Sequence, residues 1–279
     1  MALVDLDDLI SYMDSPGVED DPNLETIQAA IEDQISKYCR RTFESTAYTL
    51  ERYSGDGTQH LSLKNYPIIS LSLLSIGSDD IIRVCNTNTG TFASISVTST
   101  GVSLDKDGTA TSLTFAAYTT MSTMVAAINA TSGWSATLLN STYDNHKSNF
   151  LLKKFGLNCI DSNYVYLSIP SDPEYDFEVF EDRGIIYRHS GFPSGNHNIF
   201  VTYTAGYATI PDDLQLAAKI FCKDFYNKNK NEAIGLQSYR IGDISYSFSG
   251  NTMKDNATDT LIPAEAMAIL NRYRKRLVK

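Results

Sequence analysis

The stretch NIFVTYTAGYATIPDDL, residues 198–214, contains a strand, a turn and a helix start in immediate succession. Its β-branched and aromatic first half predicts a strand. Gly206 permits the backbone turn that follows the strand. Pro211 fits the first turn of a helix, and the carboxylates of Asp212 and Asp213 are favoured at its positive end. The stretch therefore predicts a strand that leads directly into a helix.

Apolar residues at helical spacing predict a helix pair at the N-terminus, a long central helix after Pro211 and a final helix from Pro263. Asp5 can cap the first helix, with Asp7 and Asp8 in its first turn. The expected inward positions in the four helices are Leu6, Leu9, Ile10 and Met13, then Leu24, Ile27, Ile31, Ile35 and Tyr38, then Leu214, Ala217, Ala218, Phe221 and Phe225, and finally Ala266, Leu270, Tyr273 and Leu277.

Alternating patterns predict short strands elsewhere, for example 48–53 and 59–63 around the hairpin signal Ser54-Gly55-Asp56-Gly57. Residues 82–170 differ in composition, being rich in Thr, Ser, Asn and Ala, and they predict strands with one helix over 120–130. We expect this segment to be a small inserted α+β domain. Its segment 140–154, rich in Asn, Ser and Lys, is expected to be flexible.

These elements predict an α+β fold with a mainly α-helical core and a small antiparallel β-sheet. The core would be discontinuous, formed by residues 1–81 and 171–279, with the inserted domain at 82–170. Within the core, residues 249–279 are expected to form a mobile linker and a C-terminal helix.

The composition is that of a packed protein without membrane-spanning segments. The chain has 279 residues, of which 42% are hydrophobic and 20% charged, a mixture typical of one or two packed domains. No apolar run approaches the length of a membrane span, and the acidic first residues do not resemble a secretory signal. We therefore expect a protein without membrane segments.

Charge is unevenly distributed along the chain, whose net charge is −10. Residues 1–33 hold ten acids and no base, whereas residues 271–279 hold five bases and no acid. An acidic chain is not a general nucleic-acid binder, because phosphate affinity requires clustered Lys and Arg. The opposite charges of these two segments indicate either two different contact surfaces or ordinary solvated faces.

The sequence lacks recognisable catalytic, nucleotide-binding and metal-binding motifs. There is no phosphate-binding glycine loop and no G-x-S-x-G motif, and the four histidines and four cysteines lack metal-ligand spacing. Asp105-Lys106-Asp107-Gly108 starts like a calcium loop but lacks its later ligands, so it predicts a turn. We expect buried reduced thiols, no catalysis, no cofactor and no metal. A hydrolase with dispersed carboxylates is the open alternative.

The chain resembles the head–tail connector proteins of tailed phages, also called adaptor or head-completion proteins, over about residues 1–81 and 176–248. The motifs that carry the resemblance are Asp5-Leu6-Asp7-Asp8-Leu9-Ile10, Tyr38-Cys39-Arg40-Arg41-Thr42-Phe43, Ser54-Gly55-Asp56-Gly57, Tyr66-Pro67-Ile68-Ile69-Ser70-Leu71, and residues 198–207 followed by 210–214. Residues 82–170 depart from the compact family pattern, and we expect them to be a peripheral decoration that widens the assembly. A contact with the capsid or tail, or a surface-exposed recognition module, is the alternative.

The resemblance implies a structural virion protein that assembles in the host cytoplasm and lies at the head–tail junction. It implies a homo-oligomeric ring, commonly of twelve copies, that joins the portal protein to the tail or next neck protein and passes genomic DNA without binding it specifically. The implied portal interface comprises Leu270, Arg272, Tyr273, Arg274, Lys275, Arg276 and Leu277. The implied channel or subunit interface comprises Asp5, Asp7 and Asp8, and the family turn comprises Tyr203, Gly206, Tyr207 and Pro211.

A second hypothesis assigns the chain to a phage tail or baseplate as a binding module. In that case residues 82–170 would recognise a carbohydrate or a protein. Loss of recognition on removal of this segment would favour the second hypothesis over the connector.

Overall fold

The computed structural model describes residues 3–14, 22–88, 90, 92–230, 238–241, 244–247 and 262–275. The helices of these ranges are α1 (Leu6–Met13), α2 (Leu24–Cys39), α3 (Met121–Ala130), α4 (Asp212–Lys230) and α5 (Ala264–Tyr273). The strands are β1 (Thr46–Gly55), β2 (His60–Ser62), β3 (Ile68–Ile76), β4 (Ser78–Asn86), β5 (Ala93–Val97), β6 (Gly101–Lys106), β7 (Thr109–Thr114), β8 (Trp134–Leu138), β9 (Lys154–Asn158), β10 (Val165–Pro170), β11 (Glu178–Phe180), β12 (Ile185–Tyr187), β13 (Gly195–Ala205), β14 (Ser238–Ile241) and β15 (Ile244–Ser247).

The expected mainly α-helical core is wrong, because the protein is mostly β. Strands contain 37% of the described residues, and every strand pair in the sheets is antiparallel. Eleven of the fifteen described strands have six residues or fewer, whereas every described α-helix has eight or more, so the helices give the clearer pattern in sequence. All fifteen described strands pair into sheets, and together they contain more residues than the helices.

Helices α1, α2, α4 and α5 form one apolar layer, called the helical layer below. Asp5 caps α1 as predicted, accepting a 3.0 Å hydrogen bond from the amide of Asp7. The inward positions of α1, α2, α4 and α5 meet in a single buried cluster that also contains Phe43. Tyr38 and Phe225 are only half-buried at its margin. Leu277 and residues 248–261 lie outside the described ranges.

A second core lies within the central sheet, whose strand order is β1-β13-β3. The long strand β13 pairs on one side with β1 and on the other with β3. A smaller sheet of order β11-β12-β2 contributes Leu61 and Ile186 to the same core. The predicted strand over 198–204 is therefore the middle of the sheet.

The third core lies within the segment predicted to be an insertion, and its buried residues run from Ile81 to Ile169. Sheets of order β10-β4-β8 and β7-β6-β5-β9 enclose it with α3. The segment 140–154, which was expected to be flexible, forms 3₁₀ turns at Ser141–Tyr143 and Ser148–Phe150 and buries Leu151. Whether residues 82–170 are an independent domain stays a prediction.

Within the described ranges, no helix has the length and apolar character needed to cross a membrane.

Candidate functional site

The four cysteines lie in the cores as free, buried thiols, as predicted. Burial raises the pKa of Cys39 to about 11 and that of Cys222 to about 12, from an ordinary value of 9.0. These thiols are therefore protonated and unreactive near neutral pH. Among the described residues, His, Cys, Asp and Glu form no cluster of three or more that could hold a metal ion.

Five side chains from distant parts of the sequence meet where the helical layer joins the central sheet. They are Arg41, Phe43, Tyr66, Tyr207 and Tyr273, and we call this group the Arg41 junction. The guanidinium carbon of Arg41 lies 4.5 Å from the ring centre of Tyr66, 5.3 Å from that of Phe43 and 5.5 Å from that of Tyr207. The Tyr273 ring meets Phe43 and Tyr207 edge-on, with ring centres 6.0 and 6.3 Å apart. Such contacts stabilise both the cation and the ring packing.

Arg41 also contributes a hydrogen bond to the junction. Its Nη2 donates to the carbonyl oxygen of Tyr66, while its Nε is buried without a hydrogen-bond partner. The unpaired Nε is a cost that the aromatic contacts must offset, because a buried polar atom loses its water. The planar guanidinium therefore connects the end of α2 to the segment that precedes β3.

The family turn lies against this junction. The amide of Gly206 donates to the carbonyl of Pro67 at 2.9 Å, and the amide of Tyr207 donates to that of Phe43 at 2.8 Å. Gly206 has a φ of +116°, and a Cβ at this position would lie 2.2 Å from the carbonyl oxygen of Glu44. Only glycine fits such a close approach, so the turn predicted from sequence has a steric reason.

The junction also holds α5 against the start of α4. The hydroxyl of Tyr273 donates a 2.5 Å hydrogen bond to Oδ1 of Asp213, which lies in the first turn of α4. Burial, followed by the bond to Asp213, raises the pKa of Tyr273. The phenol is therefore neutral and remains a donor at physiological pH.

The C-terminal end of α2 provides a second attachment for α5. The hydroxyl of Tyr38 donates to Oδ1 of Asn271 at 2.7 Å, and the guanidinium carbon of Arg274 lies 5.0 Å from the Tyr38 ring centre. The amide of Lys275 donates to the carbonyl of Cys39 at 2.9 Å. These contacts hold α5 and the two residues after it against the C-terminal end of α2.

The implied portal-interface residues occupy three different environments. Leu270 is completely buried in the helical layer, and Tyr273 is half-buried in the junction. Arg272 and Arg274 are exposed, while the Nζ of Lys275 donates to the carbonyl of Lys64 at 2.5 Å. The other two residues, Arg276 and Leu277, lie outside the described residues. In this arrangement the surface part of the set is basic, whereas its apolar part serves the core.

The acidic set on α1 remains at the surface. Asp5, Asp7 and Asp8 are all exposed. Asp5 is used as the helix cap, and Oδ2 of Asp8 lies 3.5 Å from Nζ of Lys219 on α4. Among the described contacts, the side chains of Asp5 and Asp8 each have such a role, whereas Asp7 contributes its backbone amide to the cap.

A hydrogen-bonded cluster under the central sheet was not predicted from the sequence. Oε2 of Glu51 accepts hydrogen bonds from the hydroxyls of Tyr53 at 2.5 Å and Tyr203 at 2.6 Å, and the two hydroxyls lie 3.0 Å apart. Burial is the main cause of the raised pKa of Tyr53 and of Tyr203. The i, i+2 spacing of Glu51 and Tyr53 on β1 was the available signal, because such residues share one face of a strand.

A groove beside β1, which is an edge strand of the central sheet, was also not predicted from the sequence. Its walls come from β1 and from the third core, and it has a volume of about 280 Å³. We define the β1 groove by Leu50, Arg52, Phe115, Lys153 and Phe155, which line it or its continuation along β1. It joins two parts of the chain that are far apart in sequence.

A third feature is an acidic strip, defined as residues 172–182, with the sequence DPEYDFEVFED. The strip contains six acids and no base. Tyr175 is 85% exposed and Phe180 is 45% exposed within it. Its start runs beside β3, because Pro173 forms an isolated bridge with Ser75 and the amide of Glu174 donates to the carbonyl of Leu74 at 2.7 Å.

Comparison with known families gives one match. The family model of head completion proteins matches residues 121–276, more than half of the chain. The chain belongs to the head completion protein family. No curated protein matches the sequence.

Membership confirms the resemblance to phage head-completion proteins and makes the chain a structural component of the virion of a tailed phage. The matched range starts at Met121, the first residue of α3, and contains β13, α4 and α5. It therefore includes the family turn, Tyr273 and the latter half of the segment expected to be an insertion. Recognition by residues 82–170 on a tail or baseplate stays a prediction.

Proposed function

We propose that this head completion protein forms a homo-oligomeric ring at the phage neck, joins the portal vertex to the tail and extends the DNA channel. The observation that carries the proposal is the fixed position of the basic end of α5. The Tyr273–Asp213 and Tyr38–Asn271 hydrogen bonds hold this helix on the helical layer. A helix held in this way can present its exposed charges as one rigid surface.

The portal side of the proposed ring is the end of α5. Arg272 and Arg274 are exposed there, and Arg274 is oriented by its contact with the Tyr38 ring. Arginine is well suited to such a surface, because its fork of donors binds carboxylates with defined geometry. We therefore expect these two residues to pair with an acidic surface of the portal protein.

The channel side is assigned to the acidic surface of α1. Asp7 and Asp8 are exposed, and Asp5 is exposed at the helix cap. Repeated copies of this surface around a channel would repel phosphate, so genomic DNA could pass without being held. The acidic net charge of −10 is consistent with this role.

The portal assignment is tested with the double variant Arg272→Glu/Arg274→Glu. We expect its affinity for purified portal protein to fall by at least about tenfold, because two attractive charges become repulsive. The control is Lys106→Glu at the β6–β7 turn, which reverses a positive charge outside α5. Circular dichroism of each variant verifies the fold.

Equal binding by the double variant and the control would contradict the portal assignment. Point variants are preferable to deletion of residues 263–279. Ala266 and Leu270 are completely buried, so the deletion would remove part of the helical core. For the function itself, heads assembled without this protein should not acquire tails, and the wild-type protein added later should restore them.

A further inference from the structure

The β1 groove lies next to a strand edge that could accept a partner. Among the described strands, β1 pairs with β13 alone, so its other edge faces the groove. The pairing of β1 is irregular between Tyr48 and Glu51, and Leu50 within this bulge has a φ of +48°. A bulge of this kind re-aims side chains at a sheet edge. Phe155, on the opposite wall, is 71% exposed.

The groove is positively charged. Arg52 is fixed in it by a 2.5 Å hydrogen bond from Nη2 to the carbonyl of Lys153. Lys153 is exposed beside it, and Lys154 follows, with its Nζ 4.0 Å from Oδ1 of Asp80. Burial, and then repulsion by Arg52, lower the pKa of Lys154, while Asp80 acts in the opposite direction. Glu51 also lines the continuation of the groove, but its carboxylate is paired with Lys64 at 3.4 Å. With Asp80 as the other nearby acid, the three cations leave a net positive surface around exposed aromatic side chains.

The acidic strip has the complementary character. Asp172, Asp176 and Glu178 are exposed between exposed aromatic residues. The largest of these aromatic residues, Tyr175, has its ring in solvent, which is unusual for a side chain of that size. An aromatic ring flanked by carboxylates is suited to a groove that offers both an arginine and apolar walls.

The two surfaces lie at opposite edges of one sheet. The central order β1-β13-β3 places the groove beside β1, and the bridge from Ser75 to Pro173 places the start of the strip beside β3. A contact between different surfaces of identical subunits propagates from copy to copy, and it closes into a ring when the rotation permits. Two different surfaces at opposite edges of the sheet are suited to such a head-to-tail contact.

We infer that the acidic strip of one copy binds the β1 groove of the next copy, with Tyr175 seated between Arg52 and Phe155. The occupant of the groove is thus a second copy of this chain. The inference rests on the proposed function only in requiring that copies of the chain contact one another. It adds the two surfaces that make the contact and its head-to-tail direction.

Site-directed cross-linking tests the contact on the full chain. Lys153→Cys and Asp176→Cys are prepared as separate, differently tagged proteins, mixed, and treated with a short bismaleimide. The native cysteines give little background because all four are buried. We expect the 153–176 product between copies to exceed the 153–153 and 176–176 products by at least about tenfold, since the contact is heterologous. The matched control pairs Lys106→Cys with Asp176→Cys and should give only the background yield.

Absence of the 153–176 product, or equal yields of all three products, would overturn the inference. Neither result affects portal binding by Arg272 and Arg274. Conversely, failure of the portal experiment leaves the cross-link unchanged, so the two proposals fail separately.

Charge exchange provides a second test. Lys153→Glu and Asp176→Lys should each weaken self-association in sedimentation velocity by at least about tenfold, because each places like charges across the contact. An equimolar mixture of the two variants should assemble again, since every contact between alternating copies of the two variants then pairs opposite charges. Variants that assemble like wild type, or a mixture that does not recover, would contradict the assignment.

Discussion

The hydroxyl of Tyr273 in α5 donates a 2.5 Å hydrogen bond to Oδ1 of Asp213 in the first turn of α4. Two motifs separated by sixty positions in sequence thus meet at one bond. Asp213 belongs to the helix start after the family turn, and Tyr273 belongs to the basic C-terminal helix. The position of the proposed portal surface therefore depends on the strand–turn–helix stretch.

Removal of this bond should loosen α5 without removing its ring packing. We expect Tyr273→Phe to lower the free energy of unfolding by about 1 kcal/mol, less than a fully buried bond to a charged acceptor because Tyr273 is half-exposed. Urea unfolding measures the change. The control is Tyr175→Phe, whose 85% exposed side chain should give no measurable effect on stability. Equal stability of Tyr273→Phe and wild type would show that the bond is not holding the helix.

Arg41 should be irreplaceable by lysine. Its flat guanidinium contacts three rings and donates to the carbonyl of Tyr66, and an ammonium cannot reproduce both contacts. We expect both Arg41→Lys and Arg41→Ala to destabilise the protein by about 1–3 kcal/mol in urea unfolding. A lysine variant as stable as wild type would indicate that charge alone matters at the junction.

The family turn should not tolerate a side chain at Gly206. We expect Gly206→Ala to destabilise by about 3 kcal/mol or more, because the strain of its φ adds to a clash with the Glu44 carbonyl. Gly57 is the matched control, since its φ is +87° but a Cβ there would have no neighbour within 4 Å. Gly57→Ala should therefore cost only about 1 kcal/mol. Thermal unfolding of both variants distinguishes steric clash from backbone strain, and equal losses would contradict the steric explanation.

Stability should decline at alkaline pH. Burial raises the pKa of Tyr53 and of Tyr203 above the ordinary value of 10.0, so the folded protein keeps these phenols protonated when the unfolded chain ionises. Their contribution is complete below about pH 10 and is lost as the pH rises towards their folded pKa values. Urea unfolding at about pH 8 and about pH 11 should show a shallower decline for Tyr203→Phe than for wild type. Identical declines would exclude Tyr203 as a cause.

The helices were predicted well from the sequence because their apolar residues recur at helical spacing. The capping of α1 by Asp5 and the buried positions Leu214, Ala217 and Phe221 of α4 follow from spacing and charge alone. Among the strands, β4 was missed although it lies between β10 and β8. Its buried run from Ile81 to Cys85 does not alternate, and it follows two aspartates that are typical of a loop.

The site could be predicted only in part. The turn at Gly206 and the basic chain end are local features, so they were found from the sequence. The Arg41 junction, the Glu51 cluster and the β1 groove unite segments that are distant in sequence, and only strand pairing brings them together. Leu270 was predicted both as an inward position and as part of the implied portal interface, because an inward stripe and an interface stripe have the same spacing. The structure buries it in the helical layer.

The most direct test of the account is single-particle imaging of the intact virion neck with this chain fitted into the density. The account predicts a closed ring of copies between the portal and the tail, with Arg272 and Arg274 facing the portal and the acidic strip of each copy against the β1 groove of its neighbour. Location of the chain elsewhere in the particle, or as isolated copies that do not touch one another, would contradict it.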